Sequence, residues 1–353
     1  MTTSADLDVP FTTPRLNGRL EQTHVALAVT PNDDRMLRYQ LMVPATWAYS
    51  KQLGPVVDEL LVPKAIGLVA QGTSPDAPII AVTVTTFPCE IPIDAWLRLR
   101  LARDGWQLVA GRWVSGPHAL YYDATAVRGD EVMRTSVRCD GNRVFMVATR
   151  CARRHWDAVK ETFLIAHVSF QVLGTTGTTQ MEAHKSIELV HPDFRIEYPF
   201  SWVATPVESP WPSVSAVDVR LSGGGGTRLL AYLQVRAERR DPRNGRPRLE
   251  ALQTETLGKL RKAGFHPAGP FVPLKPADDP RGPAVGGWVG GFLGTGKLGE
   301  ADAEVRFGYV QRADITFTLL ATCPPARDDV LTSLRAARAF EIARETLQLP
   351  EAR

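Results

Sequence analysis

The segment Gly291-Phe292-Leu293-Gly294-Thr295-Gly296-Lys297 satisfies GxxxxGK, the opening of a phosphate-binding loop. That loop needs Ser or Thr next to hold magnesium, and a helix behind it to aim amides at the phosphate. Here Leu298 follows and the segment leads toward a strand, so a glycine-rich hairpin turn is expected. The histidines are His24, His118, His155, His167, His184, His191 and His266, and none forms HxH or HExxH. His184 and His191, with Glu188 and Asp193 nearby, resemble a metal-binding set most. On an extended segment their odd spacing puts them on opposite faces, so solvated linker residues are expected. His118, Asp123 and Ser115 have the residue types of a hydrolase triad, yet Ser115 lacks a nucleophile elbow and Asp123 falls within strand alternation. Asp278-Asp279 and Asp328-Asp329 lie beside proline or at a helix start, where carboxylates meet the positive end of the helix dipole. Cys89, Cys139, Cys151 and Cys323 form no CxxC pair, which points to reduced, mostly buried thiols and away from zinc. No catalytic, cofactor or metal residue is assigned, and a non-enzyme without a cofactor is expected.

The elements that would position any site follow from composition and repetition. The chain has 353 residues, 44% hydrophobic and 22% charged, with a formal charge of +3, as in an ordinary soluble protein of about two domains. So even a balance excludes a nucleic-acid reading, which needs a strongly basic face. With 27 Pro and 28 Gly, turns and strand ends outnumber what a helical bundle tolerates. The polar, acidic start at Met1–Val9 is unlike a secretory signal, and no apolar run reaches membrane-spanning length, so a cytoplasmic protein without stable membrane insertion is expected.

One unit occurs twice. Tyr39-Gln40-Leu41-Met42-Val43-Pro44 and Phe194-Arg195-Ile196-Glu197-Tyr198-Pro199 each alternate as a half-buried strand and stop at Pro, with Trp47 and Trp202 just beyond. Ile79–Val84 then matches Leu229–Gln234 as a strand. Helices follow at Ile93–Ala102, with Ile93, Trp96, Leu97 and Arg100 on one face, and at Leu249–Lys262, with Leu249, Leu252, Thr256, Leu257 and Leu260 on one face. Both stop at a Gly-aromatic pair, Gly105-Trp106 and Gly264-Phe265. Three strands joined by short connections come next in each copy and predict antiparallel hairpins. A helix closes each copy, Trp156–His167 and Asp328–Ala337, with a last short strand at Val168–Val172 or Ala339–Ile342. The expected organisation is an extension (1–35), a first repeat (36–173), a linker (174–185) of small polar residues with nothing to bury, a second repeat (186–345) and a tail (346–353). Gly223–Gly226 reads as a loop tip and Arg236–Arg248 as a charged insertion specific to the second copy.

This order of elements, with its Pro-terminated opening strand, nearby Trp and Gly-aromatic helix stop, resembles the PsbP-like α/β/α sandwich. Within that superfamily it is most similar to the bacterial DcrB/Eag group of chaperones associated with type VI secretion effectors. The resemblance implies an α+β fold of two tandem, mostly antiparallel sandwiches with packed helices. It also implies a protein partner, a secreted effector whose apolar, helix-forming N-terminal segment is held and loaded. The group usually carries one such domain and acts as a dimer, so a tandem chain is expected to serve as a monomeric pseudo-dimer.

Apolar surface is the remaining means of recognition. Trp47 and Trp202 occupy equivalent places after the opening strands, either as core anchors or as partner-binding residues. Leu229–Val235 is apolar on both faces, which suits a doubly covered sheet or one that receives an apolar ligand, so Leu230 and Tyr232 join the candidates. The expected function is a chaperone or adaptor for an apolar effector segment; the alternative is a structural interaction subunit of a larger bacterial complex.

Overall fold

The computed structural model describes residues 20–50, 64–74, 76–116, 120–190, 192–223, 225–240, 247–274 and 287–349. They form two compact units: one of the described residues up to Pro88 with Ile93–Met181, the other of Cys89–Pro92 with the chain from Glu182 onward. Both are α+β, with sheets whose strand pairs are antiparallel.

In the first unit a helical turn, α1 (Leu20–Thr23), leads into β1 (His24–Val29), which pairs with β2 (Tyr39–Pro44). The large sheet runs in the order β3 (Ala48–Ser50), β4 (Lys64–Ala70), β5 (Ile79–Thr86), β9 (Arg143–Ala152), β8 (Glu131–Asp140), β7 (Leu120–Arg128) and β6 (Gln107–Ser115). Two helices, α2 (Ile93–Arg103) and α3 (Trp156–Ser169), complete the layers, and β10 (Gln171–Val172) flanks β2. Alternation decides what each face meets. Ile80, Val82, Val84, Phe145 and Val147 join Val159, Phe163 and Ala166 of α3 in one core, together with β2. The intervening residues turn to the opposite face, where α2 lies. This helix ends in a Schellman motif: Trp106 N–H donates to the Leu101 carbonyl, Gly105 N–H donates to that of Ala102, and Gly105 takes φ +78°.

The core of the first unit is not wholly apolar. Strand β8 places Arg134, Ser136 and Arg138 at alternate positions on the α3 side, all buried. Arg134 donates to both carboxylate oxygens of Asp123, at 3.0 and 2.6 Å. Arg138 donates to the carbonyls of Phe170 and His167 and lies over the Tyr121 ring. Each buried charge thus has a partner or carbonyl acceptors, which its burial requires.

In the second unit β11 (His184–Leu189) pairs with β12 (Phe194–Pro199). The large sheet runs β13 (Val203–Val207), β14 (Val214–Gly223), β15 (Arg228–Arg239), β20 (Ile315–Cys323), β19 (Ala301–Arg312), β18 (Trp288–Leu298) and β16 (Phe265–Pro267), with β17 (Val272–Pro273) also on β18. Helix α5 (Val330–Thr346) packs with β12, β15 and β20, and α4 (Leu249–Lys262) packs on the other face around Phe265, Val305 and Phe307. Asp329 caps α5 by accepting from Thr332 N–H at 3.0 Å, the role expected of that acidic pair; Asp278-Asp279 lies outside the described residues.

Several expectations change. The strand expected at Ala339–Ile342 is helix, because Ala336, Ala339, Phe340 and Ala343 bury one stripe at helical spacing and no Gly or Pro interrupts the run. Val168 and Ser169 likewise continue α3. GxxxxGK lies inside β18, not at a turn. Strands β1, β3, β4 and β6 of the first unit and β13, β14, β16 and β17 of the second are not among the expected strands, whereas β11 falls where His184–His191 reads as extended. The segment Gly174–Thr178 is tied down: Asp140 accepts from Thr175 Oγ1 at 2.7 Å and Thr176 N–H at 2.7 Å, and Gly141 N–H donates to the Thr178 carbonyl at 2.6 Å. Small hydroxyl residues there act as hydrogen-bond partners. Matching Ile79–Val84 to Leu229–Gln234 is out of phase by one residue. It equates Val82, in the core, with Tyr232, on the opposite face from buried Ala231 and Leu233. A one-residue slip exchanges every side chain between faces.

Candidate partner-binding cleft

On the α2 side of the first unit's sheet the helix leaves β5, β9 and β8 partly open. Ile79 and Ala81, Met146 and Ala148, and Met133 form the floor of a cleft of about 520 Å³. Register brings these residues side by side, since Ala81 pairs with Ala148 and Met133 with Arg150. Leu97 and Leu101 form a wall, and the Gly105 turn folds Trp106 against them, where it is buried. Small Ala81 and Ala148 leave the volume unfilled, and unbranched Met133 and Met146 adapt to varied apolar shapes.

The rim is charged. The Arg128 guanidinium lies 4.5 Å over the Trp106 ring and donates to Glu131 at 2.8 Å. Arg150 reaches Glu131 at 3.5 Å and Arg100 reaches Asp104 at 3.7 Å. Burial lowers the Arg100 pKa, offset in part by Asp104. An apolar floor within a ring of three arginines and two carboxylates can hold an apolar side chain and hydrogen-bond its flanking backbone.

The same face of the second unit is different. There β15 presents Tyr232 and Gln234, and β20 presents Thr318, Leu320 and Thr322. Tyr232 Oη donates to Asp218 at 2.5 Å, and Gln234 Nε2 donates to Asp218 at 2.9 Å. Burial, then the Asp218 carboxylate, raises the Tyr232 pKa.

Of the residues singled out from sequence, Trp202 is 1% exposed in the second unit's core, leaving no surface for a partner. Trp47 packs on the first core, edge-on to Phe163 at 6.4 Å. Leu230 is partly buried beside Gly223, and Tyr232 belongs to the Asp218 cluster. None lines the cleft. Its residues were missed because they are common types on three separate strands; the legible signal was the alternation of Ile79, Ala81 and of Met146, Ala148 out of phase with the core. His184 is not a solvated linker residue: its ring lies 3.6 Å from Glu90 and 3.5 Å from Glu197, both in the second unit, while His191 and His118 lie outside the described residues. Asp123, drawn with Ser115 as a triad carboxylate, is engaged by Arg134. All four cysteines are free thiols, and burial pushes Cys89 up to about 11 and Cys151 and Cys323 up to about 12. Among the described residues no group of His, Cys, Asp and Glu is placed to hold a metal ion, and no helix is long and apolar enough to cross a membrane.

No family model and no curated protein matches the chain. Solved structures similar to it include the cyanobacterial PsbP of Synechocystis, 17% identical over 42% of this chain and 92% of that one, with a TM-score of 0.32. The Ran-binding protein Mog1p of Saccharomyces cerevisiae is 10% identical over 48% and 96%, with a TM-score of 0.32. The type VI secretion immunity protein TplEi of Pseudomonas aeruginosa is 10% identical over 95% and 100%, with a TM-score of 0.25.

Proposed function

We propose that the chain is a non-enzymatic, cytoplasmic protein-binding adaptor that receives an apolar segment of a protein partner in the cleft beside α2. The observation that carries this reading is the floor of Ile79, Ala81, Met133, Met146 and Ala148, an apolar concavity open beside a helix and edged by arginines. A protein segment fits the chemistry because the floor offers area and the rim offers hydrogen bonds. In its finer form, implied by the sequence resemblance, the segment is the helix-forming N-terminal part of a secreted type VI effector.

Calorimetric titration with synthetic amphipathic peptides tests the site. Ala148→Phe fills the cleft and is expected to remove binding while the fold, read by thermal unfolding, persists. Unchanged binding by that variant refutes the cleft reading. Co-expression with a membrane-inserting effector tests the finer form: the effector is expected to stay soluble only with the wild-type chain, and equal solubility without it defeats the chaperone role.

A further inference from the structure

The chain of the first unit enters β2 through a bend at Asn32 and Asp33, both in the left-handed region with φ of 51° and 56°, and a single 3₁₀ turn, Arg35–Leu37. Asp34 caps that turn by accepting from Met36 N–H at 2.8 Å. The segment after β10 lies against it: the N–H groups of Leu173 and Gly174 donate to the Arg38 carbonyl at 2.7 and 3.3 Å. Glycine is needed at 174, because a Cβ there would collide with the Arg35 carbonyl oxygen. Buried Arg143 donates to the carbonyls of Met36 and Gly174 and to Asp140, which cross-links the two segments. Together they line a cavity of about 720 Å³. Arg35 and Arg38 both belong to its lining, three residues apart, a spacing that stacks side chains on one side of a 3₁₀ turn. Both are exposed, and among the described residues neither guanidinium has a hydrogen-bond or ion-pair partner. The neighbouring carboxylates are spent elsewhere, Asp34 on Met36 N–H and Asp140 on Arg143, Thr175 and Thr176. Asp33 is left in the lining against two cations.

We propose that this cavity binds a small phosphomonoester, its phosphoryl oxygens shared by Arg35 and Arg38 and its organic part laid on Met36 and Leu173. A guanidinium grips oxygens in pairs, and a carboxylate offers a single pair, enough for one arginine. The three oxygens of a phosphoryl group serve two guanidiniums at once, so two unpaired arginines in one concavity favour phosphate over carboxylate. Met36, 45% exposed, and Leu173 supply apolar surface beside the charge for the rest of the ester. The volume is that of a site for a metabolite-sized ligand. Asp33 repels a second anionic group and accepts from a hydroxyl, which selects a monoester over a diphosphate. Exposed arginines on a convex surface spread into water, whereas these share a hollow whose two walls are fixed by Arg143 and by the close approach at Gly174. None of the residues lining this cavity lines the cleft beside α2.

The test titrates the isotope-labelled full chain with hexyl phosphate, inorganic phosphate and hexanoate at constant ionic strength, read by NMR shifts and by calorimetry. Hexyl phosphate is expected to move the amides of Arg35–Arg38 and Leu173–Thr175 and to bind more tightly than inorganic phosphate. Hexanoate, which serves one guanidinium, is expected to bind about tenfold more weakly than hexyl phosphate. Arg35→Gln and Arg38→Gln should each weaken hexyl phosphate about fivefold, as exposed charge contacts allow, and Asp33→Asn should tighten it. Met36→Ser should weaken hexyl phosphate and leave inorganic phosphate unchanged. These side chains are exposed, so each variant should unfold at the wild-type temperature. Ala148→Phe, which fills the cleft, should leave the titration unchanged, so the two sites are read separately. Shifts elsewhere or none, hexanoate or inorganic phosphate binding as tightly as hexyl phosphate, or full affinity in both arginine variants overturns the proposal.

Discussion

One buried and one half-buried histidine are expected to give the units opposite responses to pH. His167 in α3 is fully buried; Ser136 Oγ lies 2.7 Å from its Nδ1 and Thr149 Oγ1 lies 3.2 Å from its Nε2. Thr149 spends its own proton on the Arg134 carbonyl at 3.1 Å, so it accepts from Nε2–H, and Ser136 donates to Nδ1. Burial first, then the Arg134 and Arg138 cations, hold the His167 pKa well below 6.5. The folded ring stays neutral while the unfolded one takes up a proton below 6.5. The first unit therefore loses stability as pH falls through that value, by about 1.4 kcal/mol at pH 5.5 for one proton. At His184 burial acts to lower the pKa, but the Glu90 carboxylate 3.6 Å away, aided by Glu197, outweighs it against Arg338, and the pKa is raised. Its contribution is fully present below 6.5 and is lost as pH rises through the folded value. Exchange of α3 amides and of β11–β12 amides, corrected for intrinsic rates between pH 8 and pH 5.5, reads the two units apart. Opening of α3 should become easier toward pH 5.5 and that of β11–β12 easier toward pH 8. His167→Gln and His184→Gln should each flatten their own unit's profile. A flat α3 profile in the wild type refutes the assignment of a neutral buried imidazole.

Asp123→Ala leaves Arg134 charged and buried, so unfolding in urea should show a loss of about 3 to 5 kcal/mol; Asp123→Leu with Arg134→Met should recover most of it. Thr135 is fully buried and its hydroxyl has no hydrogen-bond partner, so Thr135→Val should be neutral or raise stability by about 1 kcal/mol in the same assay. Gly105→Ala should cost about 1 kcal/mol and, by displacing Trp106, weaken peptide binding in the cleft. Tyr232→Phe should cost about 1 kcal/mol through the lost Asp218 bond and leave cleft binding unchanged.

Much of the fold was legible where local rules decide. Helix α4 begins and ends where periodicity and Gly264 place it, and β2 and β12 stop at Pro44 and Pro199. Where two local readings compete, packing decided: Ala339–Ile342 alternates well enough for a strand, but its alanines complete a buried helical stripe. Register across the repeat was illegible because Leu229-Leu230-Ala231 is apolar at three successive positions, and composition there does not say which face is inside. The Asp123–Arg134 pair was likewise hidden, since charged residues at alternate strand positions usually read as a solvated face. The tryptophans drew attention by size, whereas the cleft depends on the absence of size at Ala81 and Ala148.

Divergence between the copies follows the faces of the sheet. On the side closed by α3 or α5 both copies fill the volume mostly with Val, Ile, Leu and Phe, and the first adds the buried polar set of Arg134, Ser136 and Arg138. On the side of the first helix, partial cover relaxes the demand, and the copies part. One keeps an apolar floor of alanine and methionine; the other builds a hydrogen-bonded set of Asp218, Tyr232 and Gln234. The strand that ends the large sheet after the first helix parts as well, continuous as β6 in the first unit and broken by prolines into β16 and β17 in the second.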